Sequence, residues 1–303
     1  EPSLTPNVET ASKKVAEENP NDIIVSGLRS AIQASITEKR LSNQIVESIS
    51  SEDIGKLPDN SIADSIARLP GVTAQRVDGR SQSISIRGFG PDFSTTLLNG
   101  REQTTVGDNR GVEYDQFPSE LISQVVIYKT PSAALVGAGM SGTVDLRTIR
   151  PLEYGKQAIA VNARGEWLSL GALNSGSKDT GYRLSGLYVD QFMDDTLGIA
   201  VGIAHMESPT QIERFNAWGY PNYDATNIVI GGAKPYVTST ELKRTGVIGT
   251  LEYTPNDNFT TVGDVYWSKF DDSQILRGIE FPLQWSSASL QPGYSASNGR
   301  ITS

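Results

Sequence analysis

The apolar positions of the chain follow two different patterns, one on each side of about residue 150. In the first part they come in short groups whose spacing changes from group to group, which predicts short helices and strands. The predicted helices cover 30–43 and 60–69, with a capping box at 50–53, and the predicted strands cover 45–49, 72–76, 83–87, 96–98, 125–129 and 143–148. Asn99-Gly100 predicts a turn. The pattern predicts a small α+β domain over residues 28–150, behind a flexible polar tail over 1–21.

After Arg150-Pro151 the chain alternates between apolar residues and small or polar ones over longer stretches. The predicted strands cover 157–167, 182–191, 197–205, 241–253 and 259–270, and their connections alternate long, short, long, short, with a long loop over 209–240. Strands of ten or more residues exceed the usual globular length. Apolar-out and small-in alternation is typical of a transmembrane β-barrel. A soluble antiparallel sandwich is the alternative.

The tryptophans support the barrel interpretation, because Trp167 and Trp267 both fall at the strand ends away from the tight turns, as an interfacial girdle requires. Five strands cannot close a barrel without exposing an open edge to lipid. Residues 151–303 are therefore predicted to be about the first five antiparallel strands of a truncated transmembrane β-barrel.

Composition argues against most catalytic chemistry. The 303 residues include no cysteine and one histidine, His205, and the net charge is −9, which makes thiolate sites impossible and nucleic acid a poor partner. His205 shares the apolar face of a predicted strand, which argues against a catalytic triad. The G-x-G-x-x-G match at 137–142 is followed by strand-like residues where a dinucleotide site needs a helix. We expect no enzyme, no cofactor and no metal site.

Five motifs in the first part carry a family resemblance. They are IADSIARLPGV at 62–72, ISIRGFG at 84–90, LLNG at 97–100, VVIYKTP at 125–131 and GTVDL at 142–146. Their order resembles the plug domain of TonB-dependent outer-membrane receptors, and DIIVSG at 22–27 resembles the TonB box of that family. The whole pattern most resembles the subgroup found in Caulobacter- and Xanthomonas-like bacteria, several members of which import oligosaccharides.

The resemblance implies a plug domain inside a barrel that has 22 strands when complete, located in the outer membrane of a Gram-negative cell. It implies an energy-coupled importer of a ligand, expected to be an oligosaccharide. A ferric siderophore is the alternative, and a soluble β-rich binding or adhesion protein is a more distant one. The implied partners are the extracellular ligand, outer-membrane lipid and the inner-membrane protein TonB, which would pair with the box by strand addition.

Three groups of residues follow as candidates. The TonB-binding residues are Asp22, Ile23, Ile24, Val25 and Ser26. The ligand-binding candidates are Arg80, Asp92, Phe93, Asp108 and Asn109 at the plug apices, with Trp218 and Tyr220 in the long loop, and a solvated loop residue is the alternative for each. The residues expected to lock the plug to the barrel are Arg68, Arg76, Arg87, Arg147, Glu166 and Glu252, since a guanidinium binds a carboxylate through two hydrogen bonds.

Overall fold

The computed structural model describes residues 26–50, 61–135 and 139–302, which form two five-stranded sheets and two small hairpins. The predicted tail, the box residues 22–25 and the short helix predicted after Ser50 lie outside the described residues. Ser26, the last of the candidate TonB-binding residues, is the first residue of a helix. Among the described residues no helix is long and apolar enough to cross a membrane.

The first part is an α+β domain, as predicted. Its elements are α1 (Ser26–Leu41), β1 (Val46–Ser50), α2 (Ile62–Ile66), β2 (Val72–Val77), β3 (Arg80–Ile86), β4 (Ser94–Leu98), β5 (Arg101–Glu102), β6 (Gln124–Tyr128) and β7 (Gly142–Arg147). The main sheet has the order β1-β6-β7-β4-β5, in which only β4 and β7 are parallel. Strands β2 and β3 form a separate hairpin.

The interior of this domain is apolar and continuous. Helix α2 begins after Ser61, whose Oγ accepts a hydrogen bond from the Ala63 N–H at 3.2 Å and so caps the first turn. One face of α2 then packs against the β2–β3 hairpin, and its buried side chains join an apolar cluster with those of β3, β6 and β7. The hydroxyl of the fully buried Tyr114 lies 2.7 Å from Thr96 Oγ1, so this buried phenol has a hydrogen-bond partner.

The second part is an antiparallel sheet of long strands in sequence order. After α3 (Pro151–Tyr154) come β8 (Ala158–Trp167), β9 (Thr180–Phe192), β10 (Leu197–Trp218), β11 (Gly232–Asn256) and β12 (Phe259–Gly278), and a small hairpin of β13 (Ala296–Ser297) and β14 (Arg300–Ile301) follows. The predicted tight turn between β9 and β10 is confirmed, with Met193, Asp194 and Asp195 all at positive φ.

The long loop predicted over 209–240 is wrong, because β10 continues to Trp218 and β11 begins at Gly232. The last strand likewise continues eight residues past its predicted end at Phe270, to Gly278. These extensions contain polar residues on both faces, so they lack the apolar alternation that the prediction used.

The two faces of this sheet differ as the alternation predicts. In β10 the even positions Gly198, Ala200, Gly202 and Ala204 are buried against the first part, and apolar odd positions such as Ile203 face outward and are exposed. A Cβ on Gly202 would come 2.9 Å from Leu121 Cδ2, so glycine at this inward position lets the two parts approach closely.

Candidate functional site

Two ends of the long sheet orient the molecule. The tight turns after β9 and β11 define one end, called here the turn end, and the connections 168–179 and 219–231 define the other, the loop end. Strand β7 leads through α3 into β8 at the turn end, and β4 is parallel to β7. Both strands therefore begin toward the loop end, which places the segment before β4, with the candidates Asp92 and Phe93, on that side.

The apex of the β2–β3 hairpin is held against two strands of the long sheet. Asp78 and Gly79 form its turn at positive φ, with φ of 50° and 82°. The Asp78 carboxylate pairs with the guanidinium of Arg214 on β10 and accepts a hydrogen bond from Gln274 Nε2 on β12 at 3.2 Å. Asp78 thus joins the first part to both strands near the loop end, a role that the sequence analysis missed.

The structure places Arg80, a candidate ligand-binding residue, in the same interface. Its guanidinium pairs with Asp272 on β12 and lies 3.8 Å from the Asp115 carboxylate, and its side chain is only 15% exposed. Arg80 is therefore surrounded by carboxylates from both parts of the chain. It is held inside the interface and not at an open surface.

A second buried arginine, Arg244 on β11, reaches from the long sheet to the first part. Its Nη1 donates to the backbone carbonyl of Asp115, and its Nη2 lies 3.7 Å from the Glu120 carboxylate. Burial raises the pKa of Asp115, although Arg80 and Arg244 both act in the opposite direction. The desolvation of the carboxylate therefore outweighs the attraction of the two guanidinium groups.

Near the turn end the Asp264 carboxylate on β12 accepts hydrogen bonds from two arginines of the first part. Arg150 donates to both of its carboxylate oxygens at 2.8 and 3.2 Å, and Arg101 donates at 3.2 Å. On β11 Glu252, one of the predicted locking residues, accepts a hydrogen bond from the Leu152 N–H at 2.9 Å. The two strands thus hold the chain where it leaves the first sheet.

The other predicted locking residues lie elsewhere. Arg147 contacts Asp145 at 3.0 Å, Glu38 at 3.4 Å and the Tyr128 hydroxyl at 2.7 Å, all within the first part. The remaining four are placed as follows: Arg76 pairs with Asp64 at 3.0 Å, Arg68 follows α2, Arg87 is exposed with φ of 55°, and Glu166 lies in β8 opposite Gly181.

Asp92 joins two loops of the first part that lie toward the loop end, called here the plug apices: the segment before β4 and the loop over 104–111. Its Oδ1 accepts from the backbone N–H groups of Arg110 and Gly111, both at 3.0 Å, which fixes the loop over 104–111 beside it. Asn109 accepts from Thr105 Oγ1 at 3.1 Å, and Asp108 is exposed. These contacts give the loop a defined shape, with the side chains of Asp108 and Arg110 in solvent.

Two phenylalanines form an exposed pair at the same apices. The rings of Phe93 and Phe89 meet edge to face with centroids 5.8 Å apart, and both are about half exposed. Arg87 lies two residues before Phe89, and the Arg110 N–H donates to Asp92, the neighbour of Phe93. Both arginines are exposed and have no ion pair within the described residues. Phe89, Arg87 and Arg110 were missed as ligand candidates, although ISIRGFG marks the first two.

The loop aromatics Trp218 and Tyr220 lie at the tip of the long strands. Trp218 is half-buried, with Lys234 Nζ 5.6 Å from its ring centroid, whereas Tyr220 is exposed. Tyr223 and Tyr294 meet edge to face at 5.5 Å and connect this loop to the segment after β12. The structure does not bring these aromatics into contact with the Phe89–Phe93 pair.

Comparisons with known proteins agree with the motifs. The family model of the TonB-dependent Receptor Plug Domain matches residues 38–144. The probable TonB-dependent siderophore receptor PirA of Acinetobacter baumannii is 34% identical over 33% of this chain and 15% of its own length. The vitamin B12 transporter BtuB of Vibrio vulnificus is 27% identical over 44% of this chain and 21% of its own length. This chain thus spans less than a quarter of these relatives.

A third curated relative is the ferric enterobactin receptor PirA of Pseudomonas aeruginosa, 30% identical over 36% of this chain and 17% of its own length. Among solved structures, the siderophore receptor PirA from Acinetobacter baumannii is similar with a TM-score of 0.43 and 16% identity, over 89% of this chain and 44% of that chain. The likeness to the Caulobacter- and Xanthomonas-type subgroup stays a prediction. With a plug-domain match over residues 38–144 and long antiparallel strands after it, the chain is similar to the TonB-dependent receptors of the outer membrane.

Proposed function

We propose that this chain is the plug and the first barrel strands of a receptor that imports a ferric siderophore with energy supplied through TonB. The observation that carries the proposal is the 34% identity to a probable siderophore receptor, and a second relative is named for ferric enterobactin. These relatives favour the siderophore alternative over the oligosaccharide expected from the sequence. A receptor of this kind binds and transports its ligand and has no need of catalytic residues.

The plug apices have side chains that suit an anionic iron chelate. Arg87 and Arg110 are exposed and free of ion pairs within the described residues, so their guanidinium groups are available to an anion. The exposed rings of Phe89 and Phe93 can pack on a planar aromatic group of the same ligand. Asp92 supports both by fixing the loop that carries Arg110.

Coupling to TonB would begin at the candidate box over residues 22–26. The box leads directly into α1, which starts at Ser26. Helix α1 is tied to β7 through Glu38 and Arg147, 3.4 Å apart, and to β1 through Lys39 and Glu47, 2.7 Å apart. A pull on the box would therefore be transmitted through α1 to two strands of the plug sheet.

Uptake of a radioactive ferric siderophore by cells tests the function, with the Ile24→Pro variant as the decisive one. Proline removes a backbone donor and disfavours strand addition, so we expect uptake to be lost while the ligand still binds at the cell surface. Ile24→Val is the matched control and should transport normally. Normal uptake by Ile24→Pro contradicts the coupling proposal. Receptor-dependent uptake of an oligosaccharide and not of any ferric siderophore contradicts the proposed ligand.

The ligand contacts are tested by binding at equilibrium. The double variant Arg87→Gln/Arg110→Gln should raise the Kd for a ferric siderophore by about tenfold or more, because it removes two charge-assisted contacts. Arg76→Gln is the control, since Arg76 lies on the same plug but pairs with Asp64. An unchanged Kd for the double variant would exclude these arginines as ligand contacts.

A further inference from the structure

Lys129 is a buried cation of the plug that no step of the proposed function uses. It follows β6 directly, and its side chain is only 9% exposed. Its Nζ donates a hydrogen bond to the backbone carbonyl of Pro70 and lies 3.3 Å from one carboxylate oxygen of Glu47. Burying a charge is costly unless it is paired and hydrogen-bonded, so both partners are needed. Lys129 thus joins two segments that are distant in sequence, the turn after α2 and the strand β1.

The first of these segments lies on the ligand side of the plug. The end of β6 is paired with the start of β7, which places Lys129 at the loop-end edge of the plug sheet. Pro70 and Gly71 form what is called here the 70–71 turn, in which Gly71 has φ of 71°. The Gly71 carbonyl accepts a hydrogen bond from the Arg87 N–H at 2.8 Å. The ammonium group of Lys129 is therefore linked through one short turn to Arg87, which is proposed to contact the ligand.

Glu47 connects Lys129 to helix α1. Its second carboxylate oxygen lies 2.7 Å from Lys39 Nζ on that helix. The side chain of Lys39 is 47% exposed, whereas that of Lys129 is almost fully buried. Because an exposed ion pair contributes little and a buried charge must keep its partner, the contact of Glu47 with Lys39 is the weaker of the two. Helix α1 can therefore leave Glu47 without leaving its carboxylate unpaired.

The attachment of α1 to the plug depends on polar contacts. None of its residues over 32–41 is buried. Among the side chains that the structure describes, its ion pairs with the rest of the plug are those of Lys39 with Glu47 and of Glu38 with Arg147. Since no buried apolar residue in this stretch of the helix would compensate for a lost ion pair, weakening the contact of Lys39 with Glu47 loosens α1.

We propose that Lys129 is a positioning residue that makes the attachment of α1 depend on the 70–71 turn. While the turn is in place, the ammonium group is divided between the turn and Glu47, and Glu47 also holds Lys39. When the turn moves away, the ammonium group pairs with Glu47 alone. A carboxylate whose charge is balanced by one close cation attracts a second cation less strongly, so Lys39 and α1 are released more easily. The use of this dependence in transport rests on the proposed function, because a ligand that moves Arg87 would move the turn.

Amide hydrogen exchange of α1 tests this dependence in the complete receptor, purified in detergent and without any ligand. Gly71→Ala displaces the 70–71 turn, because alanine is strained at a φ of 71°. We expect α1 amides to exchange about fivefold faster in this variant, as for the loss of a partly exposed ion pair. Gly100→Ala is the matched control, since Gly100 lies in another turn of the plug at φ of 77°, and it should leave α1 exchange unchanged.

Variants of Lys129 separate positioning from simple stabilisation. In Lys129→Met, α1 should exchange no faster than in the wild type, because Glu47 then binds Lys39 alone, and adding Gly71→Ala should have no further effect on α1. A lysine that only stabilised the plug would give faster exchange when removed. Lys129→Arg keeps the charge and should preserve the response to Gly71→Ala. Lys39→Gln, at an exposed position, should speed α1 exchange about fivefold by itself and likewise abolish that response.

Three results would overturn the proposal. An equal response of α1 to Gly71→Ala with and without Lys129 would show that the turn acts on the helix by another route. Faster α1 exchange in Lys129→Met alone would give this lysine a structural role only. An equal response to Gly100→Ala would show that strain anywhere in the plug loosens α1.

The β6 amides, followed in the same samples, report whether each variant keeps its fold. If Lys129→Met unfolds, Lys39→Gln decides the question, because a response of α1 to Gly71→Ala that persists in this variant contradicts the proposal. No ligand is added at any step. Failure of this test therefore leaves the siderophore proposal to the uptake measurement, and failure of uptake leaves the role of Lys129 to this one.

Discussion

The plug interior and the plug–barrel interface are both buried, but they are built from different residues. The interior is a cluster of apolar side chains from α2, β3, β6 and β7. The interface brings inward glycines of the barrel strands against the plug, with Gly202 facing Leu121 and Gly246 facing Pro118, and surrounds them with paired charges. The first kind of contact depends on volume removed from water, and the second on a close fit and on matched charge.

This difference bears on how a plug can move without unfolding. Each fully buried isoleucine contributes about 1.5–3 kcal/mol relative to an exposed one, and these contributions are lost only when the plug itself opens. The charges of the interface come from both partners, as with Asp78 and Arg214 or Asp264 and Arg150, and water can solvate them again once the surfaces separate. The plug is therefore expected to remain folded when its contacts with the barrel strands are broken.

The largest effect is expected from a cavity in the plug interior. Ile127→Ala removes a fully buried side chain of β6 and should cost about 2–5 kcal/mol. Hydrogen-exchange protection of the β6 and β7 amides should fall at least about 30-fold, because these amides exchange through plug opening. Ile45→Ala, at an exposed position just before β1, is the matched control and should change little. Similar protection losses in the two variants would contradict the idea of one apolar core.

A smaller and more local effect is expected at the interface. A Cβ at Gly246 would press on the Pro118 ring, so Gly246→Ala should cost about 1–3 kcal/mol through overpacking. Amides near 119–122 should lose protection, whereas those of β6 keep it. Gly249→Ala is the control on the same strand, because its Cβ would find only ordinary contact with Val265 at 3.9 Å. If Gly246→Ala also exposed the β6 amides, plug interior and interface would have to be regarded as a single cooperative unit.

The elements of the plug could be predicted from sequence because each combines a short apolar run with a local stop signal. Five plug strands begin within three residues of their predicted starts, namely β2, β3, β4, β6 and β7. Asn99 and Gly100 adopt positive φ, as the predicted turn requires. The extensions of β10 and β11 could not be predicted in this way. Beyond the apolar band both faces are polar, and the pairing of Gly232 with Trp218 is visible only when the two strands are aligned.

The interface was harder to predict than the fold. Arg80 meets Asp272, a residue 192 positions away, and no local pattern contains that pairing. Arg244 had a signal that went unused, since it shares the inward face of β11 with Gly246 and Ile248, and a charged residue among small and apolar inward positions predicts a partner in the plug. The alternation in the sequence thus indicates which residues face the plug, whereas their partners require the structure.

The smallest effect is expected from pH, and it should have opposite signs at two carboxylates. Glu47 lies on β1 within the plug, beside Lys129 at 3.3 Å and Lys39 at 2.7 Å. Burial alone would raise its pKa, but the two lysines outweigh burial and the pKa is lowered from 4.5. Its contribution to stability is therefore present above about pH 4.5 and is lost as the pH falls through the lower, folded-state pKa.

At Asp115 in the interface the sign is reversed, because burial raises its pKa above 3.8. The favourable state is the protonated one, so its contribution is present below that value and is lost as the pH rises through the folded-state pKa. We expect Glu47→Gln to reduce the protection of β1 and β6 amides more at pH 7 than at pH 4, by about 1 kcal/mol or less. Asp115→Asn should reduce the protection of amides near 114–116 less at pH 7 than at pH 4. Equal pH dependence in the two variants would mean that the carboxylates of Glu47 and Asp115 experience the same environment. The plug and the plug–barrel interface would then not differ in their electrostatics.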